Sequence, residues 1–200
     1  MQQLDLNADV GEGDPQTDAA LLQLVTSANV ACGFHAGDAQ SMRATVTLAM
    51  RNGVAVGAHP GFNDREGFGR RPQQLADEEI RQLVLTQLGA LDAIAHAEGV
   101  RLHHVKPHGA LYNQAETGGA LAVAIVAGIR GFDPSLRLVG RAGSAMEDAA
   151  RAAAHPFTAE AFCRSAISGG WHVAAAVRAG GGPHRSRGGG ATGPLVSHGR

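Results

Sequence analysis

Over its first 162 residues the chain alternates short runs of small and β-branched residues with longer stretches rich in Ala, Leu, Gln, Arg and Glu. Residues 4–9, 28–35, 54–59, 102–108 and 136–140 read as strands, and 157–162 as a sixth. Residues 18–24, 38–52, 77–98, 119–129 and 144–153 read as helices. Several of these open on Asp or Ser, which can cap the free N–H groups of a first turn, and two close against Gly53 and Gly99. Such alternation predicts an α/β fold, a parallel sheet with helical crossovers that is either open or closed into a barrel. Parallel α/β folds bind their ligands at the C-terminal ends of the strands, so the residues found there carry the functional information.

The formal charge of −1 and a hydrophobic content of 44% fit a folded globular chain. No apolar run approaches the ~20 residues needed to span a bilayer. The charge is unevenly spread. Residues 1–162 hold all 18 acidic residues against 12 basic ones, whereas 163–200 hold five arginines, no Asp, Glu or Lys, and ten of the 28 glycines. The first part reads as one β/α catalytic domain and argues against a polyanion partner. The second has Gly-Gly-Gly twice and no apolar periodicity, and is expected to be a mobile tail. Cys32 and Cys163 lie far apart and suggest no disulfide framework. The opening Met-Gln-Gln-Leu-Asp-Leu has neither the basic nor the apolar stretch of an export signal, so a cytoplasmic location is expected.

Polar residues gather where the strands end. Period-two alternation puts Asp5, Asn7 and Asp9 on one face of the first strand, and Asn29, Gly33 and His35 on one face of the second. The third strand ends on His59 and leads into a charged, glycine-punctuated loop carrying Arg70 and Arg71, suited to meeting an anionic substrate group or a partner subunit. On the fourth, alternation groups His104, Lys106 and His108, and Lys106 is the only lysine of the chain. Three such groups on one face make poor core filler and mark an active-site face. Two chemistries are open to them. Asp9, His35, His59 and one of the pair His104 and His108 are candidate ligands for a divalent metal that activates water, with His104 the first choice. Alternatively, Asp9 acts as general base while Lys106 and the histidines His35, His59 and His108 polarise a carbonyl. Either points to hydrolysis at a carbonyl carbon. Neither a P-loop nor a dinucleotide glycine fingerprint is present.

Five motifs in order, DLNADVGEG, VTSANVACGFHAGD, GVAVGAHPGF, GFGRR and HVKPHGALYN, resemble the LamB/YcsF family across residues 1–162. The resemblance implies a β/α barrel related to glycoside hydrolases and deacetylases. It also implies 5-oxoprolinase chemistry, opening the lactam of 5-oxo-L-proline to L-glutamate at the expense of ATP, together with B and C subunits. Carried over by motif, the site takes in Asp9, Glu12, His35, Asp38, His59, Lys106, His108, Tyr112 and Asn113. Asn7, Glu12, Asn29, Asp38, Arg70, Tyr112 and Asn113 are then the candidates for binding substrate. A stand-alone metal-dependent amidohydrolase or deacetylase, and a non-catalytic scaffold for the other subunits, are the alternatives.

The chain departs from the family in two places. The segment between Gly13 and Asp18 is short, and after Phe162 the family's further strands and late His-Gly-Asp motif do not follow. Codons compatible with residues 163–172, read one nucleotide later, can spell a sequence that resembles the family's continuation, so 163–200 is expected to be a frameshifted tail. An incomplete (β/α) barrel with open sheet edges is therefore expected, unstable or inactive as it stands.

Overall fold

The computed structural model describes residues 4–162 and 173–177. Six strands, β1 (Leu4–Val10), β2 (Ser27–Ala31), β3 (Ala55–His59), β4 (His104–Val105), β5 (Arg137–Arg141) and β6 (Phe157–Phe162), lie side by side in chain order. All five neighbouring pairs are parallel, and their crossovers are helical, which gives the expected incomplete (β/α) barrel. A seventh strand, β7 (Val173–Val177), runs antiparallel to both β6 and β1 and closes the ring. Leu4 pairs with Val177 and Ala8 with Val173 on one side, while Glu160 pairs with Ala176 on the other.

This strand corrects the expectation of open sheet edges. Both exposed backbone ladders find partners in a Val-Ala-Ala-Ala-Val run, whose β-branched ends and lack of charge suit a strand. It lies inside the segment expected to be mobile. The remainder of that expectation, and the frameshift reading, concern residues 163–172 and 178–200, which lie outside the described residues.

The crossovers are α1 (Pro15–Leu21), α2 (Ala39–Arg51), α3 (Asp77–Ala97), α4 (Gly109–Ala115), α5 (Gly119–Phe132) and α6 (Ala145–Ala152). The short first loop is used economically. Asp14 caps α1 through the Thr17 N–H, Pro15 takes the first helical position, and Asp18 turns back to accept the Gly11 N–H at 2.9 Å. At the start of α3, Asp77, Glu78 and Glu79 face the positive end of the helix dipole, and Glu79 accepts the Ala76 N–H. Between α3 and α5 the chains come close because Gly128 has no side chain. A Cβ there would stand 3.0 Å from that of Val84. Leu88, Leu91, Ile125, Ile129 and Leu138 are fully buried in the layer between helices and sheet. Each such side chain contributes roughly 1.5–3 kcal/mol of transfer free energy.

Two strands are shorter than the sequence predicts. β2 stops at Ala31 because Gly33 turns the backbone at φ +93°. β4 keeps two residues of an expected seven. Lys106 and His108 still donate their N–H groups to Ala58 and Pro60, but Pro107 between them has no N–H to give. Gly109, at φ +53°, then opens α4, a helix not among the stretches read as helical from the sequence. Among the described residues no single helix is long and apolar enough to cross a membrane.

Candidate active site

The barrel interior is polar. Along the inward face of β1, Asp5 accepts hydrogen bonds from Thr26 and Ser27 at the N-terminal end of the barrel. Asn7 Oδ1 accepts from Asn29 Nδ2 at 2.8 Å and from Lys106 Nζ at 3.1 Å, and its Nδ2 donates to Glu160 at 3.5 Å. Asp9 Oδ1 accepts from the same Asn29 amide at 2.8 Å and from Lys106 at 3.5 Å. His104 donates from Nε2 to Asn29 Oδ1 at 2.7 Å, and Lys106 Nζ stands 3.3 Å from Glu160. Room for the His104 ring comes from Gly57, where a Cβ would lie 2.1 Å from its Nε2.

Asn7, Asn29, His104, Lys106 and Glu160 are each 3% exposed or less, so these bonds replace water rather than compete with it. Burial alone would discharge Lys106, yet Asp9 and Glu160 outweigh it and hold the ammonium above its usual range. For Asp9 burial pushes the other way, but His59 and Lys106 win and its carboxyl falls well below the ordinary range.

A second group sits above this ladder, at the strand ends. Glu12 follows β1, His35 follows β2, His59 ends β3 and His108 precedes α4. His59 Nε2 lies 3.0 Å from His108 Nδ1, 3.4 Å from Asp9 Oδ2 and 3.9 Å from Glu12 Oε1. Glu12 Oε1 is also 3.4 Å from both His35 Nε2 and His108 Nδ1. The rings of His35 and His108 stack at 3.8 Å, nearly parallel. Burial lowers the proton affinity of both, reinforced by His59, to about 3, so they are neutral at pH 7. Burial opposes charge on His59 too, but Asp9 and Glu12 beside it more than compensate. Glu12 is raised, chiefly by its own burial.

The charged loop after β3 covers this group. Phe68 meets the edges of His35 and His108 with ring centroids 5.8 and 5.4 Å away, and its carbonyl accepts from His108 Nε2 at 2.8 Å. Phe68 itself is held at φ +54°, a conformation that costs a bulky residue energy and marks a position fixed by its surroundings. Gly69 follows so tightly that a Cβ would stand 2.7 Å from that of His35. Arg65 reaches back to the Gly33 and Gly37 carbonyls at 2.6 and 2.9 Å. A cleft bounded by Gly13, Asp38, Arg65 and Phe68 leads down to Glu12 and His35.

The structure thus brings Asn7, Asp9, Glu12, Asn29, His35, His59, Lys106 and His108 together. Of the two histidines offered as fourth ligand, His104 is corrected: it lies in the ladder bonded to Asn29, whereas among the described residues the cluster with metal-ligand spacing is Glu12, His35, His59 and the alternative, His108. Asp9 likewise stands beside that cluster rather than in it. Asp38 lies at the cleft mouth, where it caps α2 through the Ser41 N–H at 2.8 Å. Arg70 is exposed with its guanidinium over the Phe68 ring, and Asn113 is exposed on α4. Tyr112 is buried, and burial with Glu160 nearby raises its phenol far above the ordinary range. Glu160 is absent from the residues that the sequence singles out. Its signal is faint: an acid near the end of a short strand, with Thr158 buried two residues before it.

The sequence model of the LamB/YcsF family matches residues 4–170. The 5-oxoprolinase A chain of Methylococcus capsulatus is 56% identical over 163 residues, which cover 80% of this chain and 63% of that protein. The crystal structure of a lactam utilization protein from Thermus thermophilus is similar with a TM-score of 0.75 and 48% identity, over 78% of this chain and 64% of that one. The chain therefore spans less than two thirds of the length of either relative.

Proposed function

The chain belongs to the LamB/YcsF family, and from that we propose that it is the A component of an ATP-dependent 5-oxoprolinase. In this reading B and C subunits deliver 5-oxo-L-proline activated by ATP, and the present chain adds water. A lactam carbonyl is a poor electrophile, and phosphorylation of its oxygen makes the ring carbon attackable. One water then adds to that carbon, and the C–N bond breaks with the ring nitrogen taking a proton to become the α-amino group. A second water releases phosphate. 5-Oxo-L-proline, ATP and two waters so yield L-glutamate, ADP and phosphate.

The observation that carries the reading is the placement of Asp9. One of its oxygens is fixed by Asn29 and Lys106, and the other faces His59 at 3.4 Å. A carboxylate oriented in this way can position the attacking water, while the buried Lys106 ammonium supplies positive charge where an oxyanion develops. A docking scaffold has no need of a buried lysine, whose desolvation costs several kcal/mol unless it is paired. The histidine and Glu12 cluster supports a second reading, a metal-dependent amidohydrolase that acts without ATP. The test is glutamate release from 5-oxo-L-proline by this chain combined with B and C subunits. Release that needs all three proteins and ATP is the expected result. Amide hydrolysis by the chain alone, independent of ATP and abolished by chelation, favours the second reading, and no release under either condition defeats both.

A further inference from the structure

We propose that Glu12, His35, His59 and His108 form a binding site for one divalent first-row transition-metal ion of the zinc type. The inference stands on the geometry of these side chains and not on the reaction assigned above. Metal–ligand bonds of ~2.0–2.1 Å in a tetrahedron set the donor atoms about 3.3 Å apart. Here four of the edges are 3.0, 3.4, 3.4 and 3.9 Å, and all four donor atoms lie within 4.8 Å of one another; because the His35 ring stacks nearly parallel on His108, it must tilt on binding to bring the ion into both ring planes.

The outer nitrogens fix which donor atoms point inward. His59 Nδ1 donates to the Lys106 carbonyl at 2.7 Å, and His108 Nε2 donates to the Phe68 carbonyl at 2.8 Å. With those hydrogens committed, the neutral rings turn the His59 Nε2 and His108 Nδ1 lone pairs toward each other at 3.0 Å, an arrangement that is repulsive until a proton or a metal cation lies between them. Backbone carbonyls holding the outer N–H of an imidazole are the usual second layer of a metal site.

Charge and packing agree. With the imidazoles neutral, as metal ligands must be, the cluster and its immediate neighbours hold three carboxyl groups, Asp9, Glu12 and Glu160, against the one ammonium of Lys106, so a doubly charged ion leaves them balanced. Gly61 and Gly69 clear the space the rings occupy, since a Cβ at Gly61 would stand 2.6 Å from His35 Nδ1. Three imidazoles and one carboxylate suit zinc-like ions rather than the all-oxygen shells of Mg²⁺ or Ca²⁺. The cleft past Glu12 gives an ion a way in.

The test uses the full chain, stripped with a chelator and titrated with Zn²⁺ by calorimetry and with Co²⁺ as an optical probe. The expected result is one ion per chain, with intense visible Co²⁺ bands typical of a tetrahedral nitrogen site. His108→Asn and Glu12→Gln should each weaken Zn²⁺ binding at least tenfold, whereas His96→Ala, on the exposed face of α3, should leave it unchanged. Glu12 is partly exposed, so its variant reports on the site even if loss of a buried histidine unfolds the chain. A folded wild-type protein that takes up neither ion overturns the proposal, and so does binding that His108→Asn and Glu12→Gln leave intact. In the first case a shared proton, not a metal, lies between His59 and His108. Because the readout is binding, loss of lactam hydrolysis would bear on the proposed function and leave this inference standing.

Discussion

Asn7, Asn29, His104, Lys106 and Glu160 sit inside the barrel and bond to one another at 2.7 to 3.5 Å. One layer higher, His35, His59 and His108 are buried almost as deeply and Glu12 is partly exposed, but the group is not satisfied in the same way. Two of their nitrogens face each other at 3.0 Å, and His35 Nδ1 has no protein partner. Buried polar groups are expensive unless they are hydrogen-bonded, so the more fully bonded lower layer reads as the network that holds the site and the upper one as the binding site itself. Asp9 joins them, with one oxygen in each layer. Substitutions in the two layers should therefore have opposite balances of stability against activity.

The largest effect on stability is expected from Lys106→Met, which strands Asp9 and Glu160 in the interior without their counter-charge. Breaking a buried pair from one side costs about 3–5 kcal/mol, and denaturant unfolding measures it. A loss under about 1 kcal/mol, the scale of an exposed pair, would mean that water already enters the lower layer. Next comes Gly57→Ala, whose methyl group has nowhere to go but the His104 ring. Overpacking of this kind costs roughly 1–3 kcal/mol in the same experiment.

For the upper layer the expectation reverses. His35→Leu replaces a ring with an unpartnered nitrogen by an apolar side chain, and should shift stability by less than about 1 kcal/mol while abolishing glutamate release. A loss as large as that of Lys106→Met would erase the distinction between the layers.

The smallest effect separates burial from clustering. His155 is 6% exposed and lies outside both layers, and burial followed by the nearby Arg130 depresses its proton affinity. A histidine depressed in the folded state stabilises the fold above its unfolded value of about 6.5 and loses that contribution as the pH falls. Unfolding of wild type and His155→Phe from pH 8 to pH 5 should show the wild type losing slightly more. Parallel curves would mean that His155 titrates normally.

Much of the frame is legible because β-α alternation is a local signal. Strands β1, β3, β5 and β6, the stretch 38–52 capped by Asp38, and the long helix ended by Gly99 all lie within a residue or two of their expected places. The site is legible only in part. His35, His59 and His108 can be placed because each ends or closely follows a strand. Strict alternation along 102–108 groups His104 with them, but the true strand ends at Val105 and Pro107 breaks its ladder, so the inward-pointing residues stand at different depths. Glu160 is invisible for another reason. Its partners Lys106 and Asn7 are brought to it only by the closed ring of strands, and nothing near it in the sequence signals a buried ion pair. The antiparallel closing strand escapes notice because a short Val and Ala run among glycines carries too little pattern to stand out.

The central claim is that the interior of this barrel performs the water addition, and does not merely hold the other subunits together. It is tested most directly by glutamate release from 5-oxo-L-proline in the complex with B and C subunits, comparing wild type with Asp9→Asn once assembly has been verified. The account predicts a fall of at least ~100-fold, the scale lost with a positioned general base. Release within twofold of wild type, from a complex that still assembles, would contradict it.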